Sequence, residues 1–459
     1  MQVFAEIFRE YDIRGVVDVH LTPEFAEHLG KAIGTTLRRG GGTSLVVGRD
    51  CRLSGSALGE ALMAGVRSTG CDTIDIGVVP TPVQYWAIHH LKASGGVCIT
   101  GSHNPPDYNG FKLTLLDKSL HGADILALRT MIEEEDYESG AGEAFHQGVL
   151  SLYIDELANQ LKPIGRSLKL VVDAGNGTGG MTAVELFARM GCDVVPLFCE
   201  PDGNIPNHHP DPSEEKNLVD LRAAVKEHQA DLGFAFDGDA DRIGVIDRHG
   251  AIIWGDRLMI LLARAVLEEE PGAAIIAEVK CSKILYDDIA SHGGRPIMWK
   301  AGHSLIKSKM KEEGAALAGE MSGHIFFKHR YYGFDDATYA GARLLELLGD
   351  SDLHLDEMLA EIPEMVSTPE IRVDCPEAIK FELVREVIAS FQARAEDEGF
   401  AVVDIDGARV EWEDGWGLVR CSNTQPILVL RFEAATQKRL DEIQHILHAE
   451  IETQRARLT

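Results

Sequence analysis

The segment 100–112 combines a hydroxyl nucleophile, an imidazole and a lysine around tight turns. Ser102 directly follows the apolar run 95–100, which is typical of a short buried strand. A side chain at the end of such a strand is presented to a ligand by the turn that follows. The segment therefore predicts a reactive serine at Ser102 with His103 and Lys112 beside it. The alternative is an ordinary surface turn, because Asn-Pro and Asn-Gly are common there.

Three alternating aspartates, Asp237, Asp239 and Asp241, lie between two apolar runs that predict buried strands. Carboxylates at alternate positions of a loop can converge on one point, and an all-oxygen set suits a hard cation such as Mg²⁺ or Ca²⁺. An EF-hand is excluded, because its sixth and twelfth positions would need Gly and Glu where this chain has Arg242 and Arg248. The sequence predicts a metal site here, and a solvated acidic turn is the alternative.

Two further segments offer polar groups suited to a hydroxylated, anionic ligand. Glu320, Ser322 and His324 alternate after an apolar run and can accept from and donate to hydroxyl groups. The segment 420–426 holds a guanidinium, a hydroxyl and amides in one turn, with Arg431 on the strand that follows. Such a set predicts a phosphate-binding turn. Each segment taken alone also fits an ordinary polar turn.

A glycine-rich turn supplies a competing interpretation. The segment 175–180 fits G-x-G-x-x-G, follows a predicted strand, and precedes Glu200 by about twenty residues, as in a dinucleotide-binding motif. An NAD site would not explain Ser102, the three aspartates or the arginine-containing turn. The same glycines also suit a plain strand-to-helix turn, so an NAD-dependent oxidoreductase is a distant alternative.

The composition excludes several classes of partner. The 459 residues carry a formal net charge of −29. This acidity argues against nucleic acid or an anionic membrane, although a small phosphorylated ligand needs only a local basic pocket. No apolar run is long enough to span a bilayer, and no signal peptide is recognisable. Eight scattered cysteines without a C-x-x-C pair favour free thiols in a reducing cytoplasm.

A strand–helix–glycine–strand pattern occurs three times along the first three quarters of the chain. Near-continuous apolar strands in such units are typical of parallel strands buried on both faces. Short strands flanked by helices follow and predict a small α+β domain. The sequence therefore predicts an α/β protein with three similar tandem α/β domains and a C-terminal α+β domain. The expected boundaries are 1–150, 151–250, 251–366 and 367–459.

The four polar segments, in this order and at these distances, closely resemble the α-D-phosphohexomutase superfamily. Within it, the chain is most similar to bacterial phosphomannomutase/phosphoglucomutase members, and the resemblance extends from Tyr11 to Arg431. The sequence Gly-Glu-Met-Ser-Gly-His at 319–324 resembles the corresponding loop of that branch. Phosphoglucosamine mutases more usually have lysine at the position of Met321, and they are the nearer alternative.

The resemblance implies four domains around a central active-site cleft, each supplying one loop. It implies a phosphoserine at Ser102 and one Mg²⁺ per chain, held by Asp237, Asp239, Asp241 and the phosphate. The reaction-centre residues that it implies are Arg14, His103, Lys112 and Arg242, with Lys112 or His103 moving the proton. The substrate-binding residues that it implies are Lys280, His303, Glu320, Ser322, His324, Arg420, Ser422, Asn423 and Thr424.

The activity implied is the interconversion of hexose 6-phosphate and hexose 1-phosphate, with mannose, glucose or both as the sugar. The route runs through hexose 1,6-bisphosphate, and glucose 1,6-bisphosphate is the expected activator. Phosphoryl transfer depends mostly on positioning and charge neutralisation, which agrees with the serine, carboxylate and guanidinium groups. A sugar-phosphate-binding protein without activity is a third possibility. The expected partner is a small phosphosugar, with a monomer favoured and a dimer left open.

Overall fold

A computed structural model describes residues 3–422 and 426–458 of the protein. The chain forms four sheets in sequence order, and helices cover them. This organisation confirms the predicted fold class of three α/β domains followed by an α+β domain. Among the described residues, no helix combines the length and apolar character needed to cross a membrane.

The first domain has a seven-stranded sheet in the order β1-β5-β4-β2-β3-β7, with β6 paired to β5. Strands β2, β3, β4 and β7 run parallel, and β5 is antiparallel to both β4 and β1. Its elements are a 3-10 helix (Ala5–Ile7), β1 (Ile13–Val16), α1 (Pro23–Arg39), β2 (Ser44–Arg49), α2 (Gly55–Arg67), β3 (Asp72–Val78), α3 (Thr81–His90), β4 (Gly95–Ile99), β5 (Tyr108–Leu115), β6 (Lys118–Ser119), α4 (Ala123–Glu134) and β7 (Ala144–His146).

Local sequence explains why these elements form. Helix α1 begins with Thr22, whose side chain accepts from the Phe25 amide, and a proline follows at the first helical position. Phe25, Leu29 and Ile33 recur every four residues and are all buried, so one face of the helix packs on the core. All five residues of β4 are buried, as expected for a strand covered on both faces.

The second domain has a five-stranded sheet in the order β12-β11-β10-β8-β9. Its elements are α5 (Leu150–Gln160), β8 (Lys169–Asp173), α6 (Gly180–Arg189), β9 (Asp193–Leu197), a 3-10 helix (Glu215–Leu218), α7 (Val219–His228), β10 (Leu232–Phe236), β11 (Ile243–Asp247) and β12 (Ile252–Ile253). Strands β9, β8 and β10 are parallel, and β10 and β11 form an antiparallel hairpin. The three aspartates lie on the turn of this hairpin.

The third domain has a four-stranded sheet in the order β14-β13-β15-β16. Its elements are α8 (Gly255–Glu269), β13 (Ala274–Glu278), α9 (Lys283–Ser291), β14 (Arg295–Trp299), α10 (His303–Glu313), β15 (Leu317–Gly319), β16 (Ile325–Phe327), α11 (Ala337–Gly349) and α12 (Leu355–Leu359). The three predicted units, β2-α2-β3, β8-α6-β9 and β13-α9-β14, are all right in type and place, and each joins two parallel strands.

The fourth domain is an antiparallel sheet in the order β17-β22-β21-β20-β19, with β18 also paired to β22. Its elements are β17 (Val366–Ser367), β18 (Ile371–Asp374), α13 (Glu377–Glu398), β19 (Ala401–Val403), β20 (Ala408–Trp412), β21 (Gly415–Cys421), β22 (Ile427–Ala434) and α14 (Gln437–Leu458). One hydrophobic cluster extends through the first three domains, whereas the fourth domain has its own cluster.

Candidate active site

Ser102 lies on the turn after β4 and faces the second domain. Its φ of 47° is left-handed, a conformation uncommon outside glycine. The hydroxyl Oγ donates to Asp237 Oδ2 at 2.6 Å and lies 3.1 Å from His103 Nδ1. The structure therefore brings the predicted serine, imidazole and first aspartate together across a domain boundary.

The three aspartates form a fully buried cluster with Lys112. Carboxylate oxygens of Asp237, Asp239 and Asp241 all lie within 4.8 Å of one another. Lys112 on β5 reaches across from the first domain, and its Nζ donates to Asp239 Oδ2 at 2.7 Å and also to Asp241 Oδ2. Thr81 at the start of α3 donates to the same Asp239 oxygen at 2.6 Å. The alternating spacing thus converges the carboxylates as predicted.

The oxygen cluster has the donor set that a hard divalent cation requires. Asp239 Oδ1 and Asp241 Oδ1 are buried and have no hydrogen-bond partner among the residues that the structure describes. Buried polar atoms in folded proteins are normally hydrogen-bonded or bound to an ion. Oxygen ligands without nitrogen or sulfur are those that Mg²⁺ prefers. The residues present therefore fit Mg²⁺.

Burial and neighbouring charges set the protonation of the cluster. Burial, with the charges of Asp241 and Asp239, raises the pKa of Asp237 to about 7. Burial alone would also raise the pKa of Asp239, but the Lys112 ammonium holds it well below its usual range. Burial opposes the charge on Lys112, yet Asp239 and Asp241 raise the pKa of Lys112 well above its ordinary value. Lys112 therefore remains cationic in this cluster.

Arg242 lies beside Ser102 and links Asp237 to a residue that sequence analysis missed. Its Nε is 3.2 Å from Asp237 Oδ2, and its Nη1 is 3.2 Å from Asp211 Oδ1. Burial, followed by the Arg242 charge, holds the pKa of His103 well below its usual value, so this imidazole is neutral at pH 7. The only local signal for Asp211 is its place between two prolines.

Arg14 approaches the serine loop from strand β1. Because β1 pairs with β5, Arg14 lies opposite Gly110 in the sheet. Its guanidinium donates to Asn104 Oδ1 at 2.6 Å and to Asp12 Oδ2 at 2.5 Å. Arg14 therefore adds a second buried cation next to the Ser102 turn.

His324 connects the aspartate cluster to the third domain. Its Nδ1 lies 3.0 Å from Asp335 Oδ2 and 3.6 Å from Asp241 Oδ1, and its ring stacks on His303 at 5.6 Å. Burial opposes protonation, but Asp241 and Asp335 raise the pKa of His324 to about 9. Asp335 was not predicted, and its carboxylate lies 3.1 Å from Lys307 Nζ, so it links His324 to helix α10.

Glu320 and Ser322 occupy the turn between β15 and β16. Glu320 Oε1 accepts from the Gly302 amide at 2.6 Å, and its Oε2 lies 3.8 Å from His324 Nε2. Ser322 is half-buried on the same turn. The turn and the start of α10, which carries His303, thus form one wall of the cleft.

Arg420 brings the fourth domain to the same wall. Its Nε donates to Asp406 Oδ2 at 3.0 Å, and that oxygen also accepts from the Ala301 amide at 3.1 Å. Asp406, which sequence analysis missed, therefore ties Arg420 to the segment leading into His303. Ser422 is buried, and its carbonyl accepts from Lys380 at 2.8 Å. Two predicted residues of this turn, Asn423 and Thr424, lie outside the described residues.

Lys280 and Arg431 lie where the third and fourth domains meet. Lys280 Nζ is 3.3 Å from Glu370 and 3.6 Å from Glu278. The buried Arg431 guanidinium is 3.3 Å from Asp256 Oδ2 and also donates to the Lys280 carbonyl. Both partners belong to the third domain, so Arg431 joins the two domains. The prediction that Arg431 takes part in substrate binding stays a prediction.

The glycine-rich turn between β8 and α6 packs against the aspartate loop and leaves no space for a pyrophosphate. A Cβ on Gly177 would lie 2.6 Å from the Gly238 carbonyl, and one on Gly179 would lie 2.9 Å from Phe236. The Thr178 amide already donates to that Gly238 carbonyl at 3.0 Å. The G-x-G-x-x-G match is therefore a packing turn, and the NAD interpretation is not supported.

Contacts run without interruption from the serine to the arginine of the fourth domain. They pass from the first domain to the second through Lys112–Asp241, to the third through Asp241–His324, and to the fourth through Asp406. These contacts therefore join a nucleophilic hydroxyl, an oxygen cluster and several buried cations into one continuous group of side chains.

Known proteins share this arrangement along the whole chain. Four family models match in order: phosphoglucomutase/phosphomannomutase alpha/beta/alpha domain I at residues 5–138, domain II at 151–250, domain III at 254–366, and the C-terminal domain at 370–449.

Individual relatives are similar over nearly their full length. The chain is 48% identical to the phosphomannomutase/phosphoglucomutase of Pseudomonas aeruginosa, with 97% of this chain and 96% of that protein covered. It is 47% identical to the phosphoglucomutase of Neisseria gonorrhoeae, with 98% of each covered. A crystal structure of a phosphoglucomutase/phosphomannomutase family protein from Burkholderia thailandensis is 44% identical and gives a TM-score of 0.93, covering 99% of this chain and 98% of that one.

Proposed function

The chain belongs to the phosphoglucomutase/phosphomannomutase family, and we propose that it interconverts hexose 6-phosphate and hexose 1-phosphate through a phosphoserine at Ser102. The observation that carries this proposal is the contact between Ser102 Oγ and a buried oxygen cluster, faced by Arg14, Arg242 and Lys112. A single serine must serve both ends of the sugar. The hexose 1,6-bisphosphate therefore has to turn over between the two transfers.

Asp237, Asp239 and Asp241, together with a phosphate on Ser102, are the residues that would hold one Mg²⁺. The two unsatisfied buried carboxylate oxygens support this assignment. Mg²⁺ bound there would supply Lewis-acid polarisation of the phosphoryl oxygens.

The side chains of this chain carry the remaining tasks. Arg14 and Arg242 would neutralise charge on the phosphoryl group, since guanidinium groups bind phosphate oxygens in pairs. His103 is neutral and lies 3.1 Å from Ser102 Oγ, so it can accept a proton there, and Lys112 is the second candidate for this step. Proton transfer by a positioned side chain requires hydrogen-bond reach of this kind.

Sugar binding would fall to the third and fourth domains. Glu320, Ser322 and His324 would bind hydroxyl groups, with His303 and Lys280 beside them. Arg420, Ser422, Asn423 and Thr424 would bind the phosphate that is not being transferred, at either end of the sugar. Methionine at position 321 favours mannose and glucose phosphates over amino-sugar phosphates, with glucose 1,6-bisphosphate as the activator.

A cytoplasmic location and a monomeric state complete the proposal. All eight cysteines are free thiols, and six of them are buried, which supports a reducing compartment. The reaction needs no second copy of the chain, because each proposed contact is made within one chain.

The proposal is tested by mass spectrometry and a coupled assay on the purified protein. We expect phosphate on the parent and none on Ser102→Ala, with turnover of glucose 1-phosphate and mannose 1-phosphate lost in the variant. The control is Ser291→Ala, an exposed serine on α9 that should behave like the parent. Near-normal turnover by Ser102→Ala would refute the role of this serine. Faster turnover of glucosamine 1-phosphate than of either hexose phosphate would favour the amino-sugar alternative.

A further inference from the structure

A buried ion pair, Asp50 with Arg52, lies directly behind the loop that carries Ser102. Both side chains are 2% exposed, and Arg52 Nε is 3.2 Å from Asp50 Oδ2. The pair follows β2, whose end lies beside the end of β4 in the parallel sheet. Because both side chains are buried, their partners are protein atoms, and most of these lie in the serine loop.

The Arg52 guanidinium donates to four backbone carbonyls of the serine loop. Nη2 is 2.9 Å from the Ser102 carbonyl and 2.5 Å from that of Asn104. Nη1 is 2.5 Å from the Pro105 carbonyl and 2.8 Å from that of Tyr108. Only a planar group with five donors in a fixed fork can satisfy so many acceptors at once.

Asp50 fixes the amide side of the same loop. Its Oδ2 accepts from the Gly101 amide at 3.0 Å and from Thr100 Oγ1 at 2.8 Å. Thr100 Oγ1 in turn accepts from the Ser102 amide at 2.8 Å. Asp50 and Arg52 together therefore hold both the amide and the carbonyl of the serine that adopts a φ of 47°.

Asp50 and Arg52, with their hydrogen bonds to the serine loop, form a frame behind that loop. This frame explains two glycines. A Cβ on Gly101 would lie 2.3 Å from Arg52 Cζ, so a side chain there would displace the guanidinium. A Cβ on Gly238, between the first two aspartates, would lie 2.5 Å from the Ser102 carbonyl. The Ser102 carbonyl thus accepts from Arg52 and also lies close to Gly238 on the turn that carries the aspartates.

We infer that Asp50 and Arg52 are positioning residues that hold Ser102 in its left-handed conformation against the aspartate cluster. They act through the loop backbone, and their side chains do not reach the substrate. The inference rests on the proposed function, since it assigns the frame to the serine that would carry the phosphoryl group.

The test replaces the forked guanidinium of Arg52 by the ammonium group of lysine, which keeps the positive charge. In Arg52→Lys, we expect kcat for glucose 1-phosphate to fall about a hundredfold, because a misplacement of roughly 1 Å at a reacting group has an effect of that size. KM should change less than about twofold, because the sugar-binding side chains are untouched. The matched control is Arg49→Lys: Arg49 ends the same strand, pairs with Asp75 at 2.9 Å, and should leave kcat unchanged.

A second readout does not depend on catalysis. Hydrogen exchange of the segment 100–110 should be slow in the parent and in Arg49→Lys, and at least about tenfold faster in Arg52→Lys, since the loop loses its backbone partners. Unchanged exchange, or a kcat equal to that of the control, would overturn the inference. A parent protein without turnover or phosphate on Ser102 would refute the proposed function. The hydrogen-exchange result would still test whether Asp50 and Arg52 position the serine loop.

Should Arg52→Lys fail to fold, Thr100→Val provides the same test. It removes one hydroxyl that links Asp50 to the Ser102 amide and keeps the side-chain shape. The expected pattern is again a lower kcat at constant KM, with faster exchange at Gly101 and Ser102. A Thr100→Val enzyme with parental kcat and parental exchange would also overturn the inference.

Discussion

The boundary between the first and second domains and that between the third and fourth are both built from buried charged side chains, but they use them differently. At the first boundary, the joining side chains are those of the proposed reaction centre, namely Ser102, Lys112 and Asp239. At the second, Arg409 and Arg431 make joining contacts beside those of the proposed binding residues Lys280 and Arg420.

The second boundary relies on backbone acceptors. Arg409 is fully buried, and its Nη1 donates to the carbonyls of Val279 at 2.6 Å and Cys281 at 2.7 Å. The Trp416 ring lies 3.9 Å from its guanidinium carbon. Ser282 Oγ donates to Glu433 at 2.7 Å. At the first boundary the joining side chains are therefore the proposed reaction-centre residues, whereas at the second Arg409 adds joining contacts apart from the proposed binding residues.

The largest expected effect is at the first boundary, where one change should remove activity and stability together. Lys112→Met leaves Asp239 and Asp241 without their buried cation, and breaking such a pair costs about 3–5 kcal/mol. We expect a lower unfolding temperature and a fall in kcat of at least about a hundredfold. Scanning calorimetry measures the unfolding temperature, and the coupled assay measures kcat. Lys118→Met, on neighbouring β6 with its side chain 54% exposed, is the control. A Lys112→Met variant with the stability of the parent would contradict the claim that this boundary joins the domains through its proposed reaction-centre residues.

At the second boundary, two arginines on the same face of one sheet should give different phenotypes. Arg420→Met should raise KM about ten- to hundredfold, the value of a hydrogen bond to a charged group, with a smaller loss of unfolding temperature than Arg431→Met. Arg431→Met should lower the unfolding temperature and speed proteolysis before the fourth domain, with a smaller effect on KM. Steady-state kinetics and limited proteolysis measure these changes. If both variants showed the same phenotype, the proposed separation of binding from docking would be wrong.

The smallest expected effect concerns the contact between the second and third domains. Burial raises the pKa of Asp336 to about 6, although Tyr153 and Tyr331 donate to its carboxylate at 2.8 and 2.7 Å. The folded chain then binds a proton that the unfolded chain has released between about pH 4 and 6. This carboxyl therefore contributes stability at low pH that is lost as pH rises through 6, by about 3 kcal/mol at most.

Asp336→Asn removes this titration. The unfolding temperature of the parent, relative to that of the variant, should fall as pH rises from 4 to 7. Calorimetry on both proteins across that range measures it. A difference in unfolding temperature that stays constant with pH would show that burial does not raise the pKa of this carboxyl.

Sequence patterns were sufficient for the parallel units and for the proposed reaction-centre residues. Strands such as β4 are buried on both faces, and this leaves an unbroken apolar run that is visible without a structure. Ser102 and the three aspartates were found because each motif is local, and the structure joins them as expected.

Several missed residues have partners that are distant in the chain. Asp211 meets Arg242 thirty-one residues later, Asp406 meets Ala301, and Arg52 meets the serine loop fifty residues later. A single aspartate or arginine is common on any surface, so only the fold reveals its partner. Local sequence holds no signal for such contacts.

Arg431 shows a different limit. Arg420 pairs with Val429 across the sheet, and Arg431 lies two residues further along, on the same face. Strand alternation therefore gives the face correctly. It does not reveal which part of the protein covers that face. At Arg431 the third domain covers it.

The attachment of the fourth domain through main-chain oxygens affects how the protein can diverge. Every amino acid supplies a carbonyl, so substitutions at 279 and 281 leave the acceptors of Arg409 in place. Related lineages can therefore change these two positions without losing those acceptors. At this contact the mutational constraint falls on Arg409, which is the donor.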